Sequence, residues 1–416
     1  MSHADPPAPS AGRRPGRVRL PRPMTSGEDS RVTTFELFFD LVYVFAFTQV
    51  SRLMAETHSA PGIAQALIVL ALLWWTWVGY AWLANRLPAD QPFLRTGMTV
   101  AMIGVFVCAL AIPEAFDDFD GGLDGPLVFA VAYAVVRAVH LILFFVSATD
   151  DPGLRRQLTV WSLSSVLPAC AAIVVGAAIG GEVQAWIWVL AIVFEGLGTR
   201  VLAPGGGGWR IHSVAHWSER HGLIVILALG ESIVAIGVGV ARDPVSVPIL
   251  LGTATSIVIS VLLWWSYFRR LATVGEHALA RLSGGPLVKL ARDAYSYVHF
   301  LIVAGIVLTA LGIEDAMAHI TDTEPLGWFG AAALGSGIAL FAAGTIWFAV
   351  LVGERRPLFR GAEAVVAVIS IPLLAVLPPA GALTAAVVLM GVVAGAEGWV
   401  HQRADRREAQ SSSAAA

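Results

Sequence analysis

Apolar residues fall in twelve long runs, separated by short polar stretches. The runs lie near residues 33–54, 62–85, 94–113, 126–147, 157–180 and 184–203, then near 220–240, 247–268, 294–313, 327–352, 361–378 and 380–401. Each approaches the roughly 20 apolar residues that carry a helix across a bilayer. A helix satisfies its own backbone groups in a medium without water, so helices are the expected elements. The pattern predicts an all-α, polytopic transmembrane helix bundle of about twelve spans. The connecting stretches leave no room for a separate soluble domain.

Polar composition marks the ends and the middle. Residues 1–30 are rich in Pro, Arg, Ser and Gly without an apolar core, and read as a disordered tail that can touch anionic headgroups. Residues 404–416 read as a second disordered tail. Residues 205–219, opening with Gly205–Gly208, read as a flexible link between residues 31–204 and residues 220–403. Overall the chain is 56% hydrophobic and 14% charged, with a mean hydropathy of +0.72. A soluble domain carries roughly 25% charged residues. These values exclude an ordinary soluble enzyme. The net charge of -3 offers no general field for nucleic acid.

The basic residues alternate with the runs. Numbered from a cytoplasmic N-terminus, 24 of the 27 Lys and Arg residues fall in the tails and even-numbered connections. Arg52 and Arg242 fall outside, and Arg137 falls within a run. The positive-inside rule then places both termini in the cytoplasm. Missing one span would scramble this alternation.

The two halves echo each other. Leu72-Leu73-Trp74-Trp75-Thr76 in span 2 matches Leu262-Leu263-Trp264-Trp265-Ser266 in span 8. Glu114 matches Glu314, Arg155-Arg156 matches Arg355-Arg356, and Glu195-Gly196 matches Glu397-Gly398. The matches keep their order and fall at equivalent spans. They predict two parallel six-helix repeats, an arrangement whose ligand sites commonly lie where the repeats meet.

Charged residues inside the runs carry the functional signal. Even a lenient insertion scale sets a charge at the bilayer centre at about 2.5–3.5 kcal/mol. Glu36 and Asp40 are four residues apart in span 1, so both carboxyls share one helix face. The residues admit a cation or proton site, or a helix-terminal acid pair tied to an arginine. In the seventh run Glu219 and Arg220 precede Glu231, which falls near the run's middle. Arg220 and Glu231 are three turns apart and share a face. Arg137 sits mid-way along span 4 with His140 one turn on, and either Glu231 or Asp40 is a possible partner for it. Glu195 and Glu397 occupy matching places in spans 6 and 12.

Other chemistry is sparse. His212, His216 and His221 before span 7 have a spacing compatible with metal ligands, but no cysteine accompanies them. Cys108 and Cys170 lie in apolar runs without redox or metal spacing. No nucleophile–base order, cofactor motif or phosphate loop is present, and no enzymatic activity is expected.

The block Phe35-Glu36-Leu37-Phe38-Phe39-Asp40-Leu41-Val42-Tyr43-Val44-Phe45-Ala46, with Thr48-Gln49, resembles the opening signature of the bacterial low-temperature-requirement A (LtrA) family. His216-Trp217-Ser218-Glu219-Arg220-His221-Gly222 through Leu229-Gly230-Glu231-Ser232 resembles that family's second hallmark. The resemblance spans about residues 31–403 and implies a multi-pass bacterial membrane protein, named for a growth requirement and not for a reaction. Carried over position by position, the motif residues are Glu36, Phe39, Asp40, His216, Glu219, Arg220, Gly230 and Glu231. Phe38-Phe39-Asp40 is also loosely similar to the Phe-Ser-Asp motif of a family of potassium and proton channels. The serine is absent here, and span 7 lacks the matching triplet.

These readings lead to an ion channel or secondary transporter whose path uses Asp40, Glu231, Arg137, Glu36, Arg220, Glu219, His140 and Glu195. The expected partners are the lipid bilayer and a small ion or small-molecule substrate, with no nucleic acid. The alternative is a non-transporting scaffold or sensor linked to growth in the cold or under stress, with its buried charges as structural pairs. Substrate and oligomeric state are not readable.

Overall fold

The computed structural model describes residues 27, 30–202, 209–241, 243–354 and 358–415; for residues 358, 359 and 399–415 it describes the backbone alone. The reading of residues 1–30 as a tail therefore falls largely outside the described residues, as does the Gly205–Gly208 run. All regular structure among the described residues is helical. Eleven helical segments are long and apolar enough to cross a membrane. The remaining run, near residues 361–378, forms the helix Leu358–Val376.

In chain order the first half comprises α1 (Thr34–Thr57), α2 (Ala60–Arg86), α3 (Pro92–Ala111), α4 (Gly125–Ser147), α5 (Pro152–Trp161), α6 (Leu167–Ile179) and α7 (Gly181–Leu202). The second comprises α8 (Val214–Gly239), α9 (Val247–Phe268), α10 (Leu271–Ala280), α11 (Gly284–Leu290), α12 (His299–Ala318), α13 (Gly327–Leu351), α14 (Leu358–Val376) and α15 (Pro379–Ala415). Two spans contain wider π-helical turns. Ser162–Val166 joins α5 to α6, and Ala291–Val298 joins α11 to α12.

Local chemistry explains the ends. Ser59, Asp124, Asp151 and Ser213 each cap the helix that follows, their side chains accepting a backbone N–H of its first turn. The cap at Ser213 starts α8 earlier than the apolar run indicates. His216 and Glu219 therefore belong to the helix, with Arg220, and not to a link. Glu231 consequently lies past the middle of α8, toward its C-terminal end. The expectation of an unstructured stretch from residue 404 is also corrected: α15 continues to Ala415. Beyond Gly398 it meets no Gly or Pro, while Ala, Arg, Glu and Gln favour a helix.

In the first half α1 packs on α2 and α3, α3 on α4, α4 on α6, and α6 on α7. In the second half α8 packs on α9 and α12, α12 on α13, α13 on α14, and α14 on α15. The halves meet where α1 and α2 face α8 and α12. α12 is the most enclosed helix, with every residue from Ile302 to Ile313 buried. Its approach to α13 depends on glycine. A Cβ at Gly305 or Gly312 would strike the backbone of Phe341 or Leu334, and one at Gly337 would strike Thr309. Small residues that bring backbones together are a usual means of helix association in lipid, where burying apolar surface gives little drive. The outer surface is apolar instead: Trp186, Leu190, Leu197 and Val201 on α7 and Leu250 and Leu251 on α9 are all exposed. A bilayer solvates such a surface, whereas water does not.

Candidate functional site

The face shared by α1 and α8 gathers most of the candidate residues. At the start of α1, Thr33 accepts the Glu36 N–H at 3.3 Å, and the Thr33 N–H donates to Glu36 Oε2 at 2.9 Å. This reciprocal cap holds the Glu36 carboxyl over the helix N-terminus. One turn on, Asp40 is fully buried beside Phe39, which stacks on Tyr43 and Tyr80.

α8 supplies the counterparts. Arg220, also fully buried, donates from Nη2 to Asp40 Oδ1 at 2.9 Å, and its Nη1 lies 3.9 Å from Glu36 Oε2. His216, one turn before it, places Nε2 at 3.1 Å from both Glu36 oxygens. Two residues of α2 complete the cluster. Trp77 Nε1 donates to Asp40 Oδ1 at 2.9 Å, and the Arg220 guanidinium lies over the Trp77 ring at 5.6 Å. Asn85 Oδ1 accepts the His212 N–H at 2.8 Å, which turns the Asn85 NH2 toward Ser213 O and toward His216 Nδ1 at 3.4 Å. A lone pair on Nδ1 and a proton on Nε2 suit this network, the neutral imidazole form. The cluster then contains two carboxyls and one guanidinium. Asp40 Oδ2 has no hydrogen-bond partner among the described residues.

Glu231 stands apart. It is buried on α8, eleven residues beyond Arg220, or about 16 Å along the helix at 1.5 Å per residue. Arg220 turns to the start of α1, so the two residues of that shared face serve separate sites. Thr48 Oγ1 on α1 donates to Glu231 Oε2 at 2.6 Å. No cation lies within ion-pair distance of it among the described residues. Between the two sites the helices present Phe47, Ile224, Val225 and Ala228, all buried.

Arg137 takes neither of its expected partners. It pairs with Glu195 of α7, and both side chains are buried. α1 and α8 lie along the meeting of the halves, while Arg137 points into the first half. Its neighbour His140 bonds through Nε2 to Gly79 O at 3.1 Å. Glu397, whose Glu-Gly pair matches that of Glu195 in sequence, instead meets Arg360 at 3.2 Å. Glu219 lies at the edge of the main cluster, where its Oε2 accepts the Val32 N–H at 3.2 Å and approaches Arg31 at 3.9 Å.

The three histidines do not converge. His212 is held through its backbone at Asn85, His216 turns to Glu36, and the His221 ring packs against Trp77, Trp217, Tyr295 and His299. Among the described residues no group of three or more His, Cys, Asp or Glu side chains is placed to hold a metal ion. Burial, with Arg86 nearby, holds the His212 imidazole below its usual range.

The family model of the bacterial low temperature requirement A protein (LtrA) matches residues 31–395. The chain belongs to this family. An uncharacterized protein of Rhizobium meliloti (strain 1021) is 30% identical to it over 327 residues, covering 75% of each chain. No solved structure matches. The two LtrA blocks are therefore contiguous in space: Glu36, Asp40 and Thr48 from the first meet His216, Arg220 and Glu231 from the second. Phe39 packs the cluster from α1. Gly230, with no atom within 4 Å of where a Cβ would stand, is not a close-approach glycine.

Sequence reasoning passed over Trp77, Asn85 and Ser213. Trp77 has a signal, being a tryptophan inside a span and away from the interfacial belts where such rings usually sit. Asn85 and Ser213 have none apart from the fold.

Proposed function

We propose that this LtrA protein moves a monovalent cation, the proton foremost, across the bacterial inner membrane along the α1–α8 seam, with both termini in the cytoplasm. The observation that carries the reading is a charge count at that seam. Three buried carboxyls, Glu36, Asp40 and Glu231, face one buried guanidinium, Arg220, and one buried imidazole, His216, which still leaves the carboxyls in the majority. A membrane interior does not retain bare surplus charge, so exchangeable cations are the natural complement. The matching succession of helix contacts in the two halves supports a parallel repeat, and the seam lies at its centre, where such proteins place their sites. In this state the apolar side chains between the two sites keep the route closed. Alternation between halves would carry a cation past them.

The test is flux in proteoliposomes under imposed pH and potassium gradients, with wild type, Asp40→Asn and Glu231→Gln side by side. Wild-type flux that both variants lose, while remaining folded, is the expected result. Flux retained in both overturns the site assignment, and none in folded wild type overturns the reading itself.

One observation favours the scaffold reading. Arg220–Asp40 and Arg137–Glu195 are each closed, partnered pairs. An inert protein with full wild-type phenotype in flux-dead variants would establish it.

A further inference from the structure

An aromatic cluster away from the seam surrounds a cavity between α2, α4, α5 and the π-helical turn before α12. Trp75, Trp82, Phe144, Trp161 and Trp209 form its walls, and Arg137, His140 and Arg292 reach it. Its cavity volume is about 50 Å3, part of it open at the surface. The two π-helical turns of the protein both border it: one follows Trp161, and the other carries Arg292. Such turns occur frequently at functional sites.

Three polar atoms at this cavity are unused. Arg137 Nε, His140 Nδ1 and Trp209 Nε1 are all buried without a hydrogen-bond partner among the described residues. The other tryptophan donors are engaged, Trp161 with Thr199 at 3.0 Å and Trp82 with Ser296 at 3.1 Å. Buried polar groups are almost always bonded, so three together call for a ligand. Their kinds define it. Arg137 Nε and Trp209 Nε1 are donors. His140 donates from Nε2 to Gly79 O, so Nδ1 of the neutral ring is an acceptor. A group that accepts two hydrogen bonds and offers one proton matches all three, and a carboxylic acid is such a group.

We infer that this cavity binds a small aromatic weak acid, taken up together with one proton. The ring lies among the tryptophan faces. One carboxyl oxygen accepts from Arg137 Nε and Trp209 Nε1. The proton lies between the other oxygen and His140 Nδ1, so no bond to carbon forms or breaks. Charges around His140 agree with the choice. Arg137 is balanced by Glu195, and Arg292 and Arg200 share the single carboxylate of Asp293, leaving an excess of positive charge. Tyr80, whose ring also contacts His140, donates to Val136 O and is uncharged in the arrangement. A cationic ligand would meet this excess directly. A bare inorganic anion would press its charge on the negative faces of the rings.

This site is independent of the cation reading, and its test measures binding, not flux. The purified full-length protein in detergent is titrated calorimetrically with sodium benzoate, benzyl alcohol and benzylammonium chloride, in two buffers of different ionisation heat. Saturable benzoate binding is expected with uptake of about one proton, tighter than either analogue. Trp209→Phe keeps a ring and removes the donor, and should weaken benzoate about fivefold, as loss of one neutral hydrogen bond does. His140→Phe should abolish the proton uptake. Equal or tighter binding of benzylammonium, or no saturable heat with benzoate, overturns the inference. So does unchanged binding and proton uptake in both variants, each confirmed folded by its melting temperature.

Discussion

Asp40 and Glu231 are both buried acids on the one seam between α1 and α8, yet their surroundings differ. Asp40 receives a guanidinium and an indole N–H within 2.9 Å, and the same Trp77 ring lies against the guanidinium. Glu231 receives one threonine hydroxyl. The first environment holds a carboxylate in place from three helices. The second leaves a carboxyl whose charge has no fixed partner among the described residues. Removing a group should therefore cost stability at the Asp40 end, whereas at the Glu231 end it should cost function with little loss of fold.

The largest effect expected is at Arg220. Arg220→Met leaves Asp40 and Glu36 buried without their cation and should destabilise the protein by about 3–5 kcal/mol. The double variant Arg220→Met with Asp40→Asn should recover much of that loss, because the uncompensated charge goes with its partner. Thermal unfolding in detergent, followed by the protein's tryptophans, reads both. Arg137→Met and its combination with Glu195→Gln should reproduce this pattern in the first half. A double variant no better than the single would show that the guanidinium contributes by packing on Trp77, and the contrast with Glu231 would lose its electrostatic basis.

Much of this architecture was legible in the chain, and the limits have physical causes. Twelve apolar runs and alternating arginines are properties of single segments, so helices and their approximate ends could be read directly. The meeting of span 1 with span 7 was hinted at only by two separate motif blocks. Which acid met which arginine was not legible. Pairing depends on the rotation and neighbours of each helix, and Arg137 finds Glu195 because α4 and α7 close the first half away from the seam. The start of α8 was misplaced because the cap at Ser213 precedes polar residues. His216 and Glu219 look like a loop until their partners near the start of α1 are seen. Trp77 shows the converse, an apolar-looking residue whose N–H is a polar part of the site.

A smaller change sharpens the comparison from the Asp40 side. Trp77→Phe keeps a ring beneath Arg220 but removes the donor to Asp40 Oδ1. Loss of a hydrogen bond to a charged group costs about 1.5–3 kcal/mol. The expected melting-temperature drop is thus well below that of Arg220→Met. A drop as large as the arginine variant's would make the indole, and not the ion pair, the principal clamp on α1.

The smallest stability effect is expected at Glu231, and there the comparison is decided. Glu231→Gln is nearly isosteric and retains an acceptor for Thr48 Oγ1, so unfolding should shift by less than about 1 kcal/mol. Thr48→Val removes the donor and should cost about 1 kcal/mol, since one hydroxyl bond is lost while the shape is kept. If the carboxyl serves cation movement, Glu231→Gln should abolish flux at nearly full stability, and Thr48→Val should reduce it with the carboxyl still present. A Glu231→Gln protein that loses several kcal/mol would place Glu231 in the same class as Asp40. The two ends of the seam would then be structural alike, and the surplus of carboxyls would no longer argue for transport.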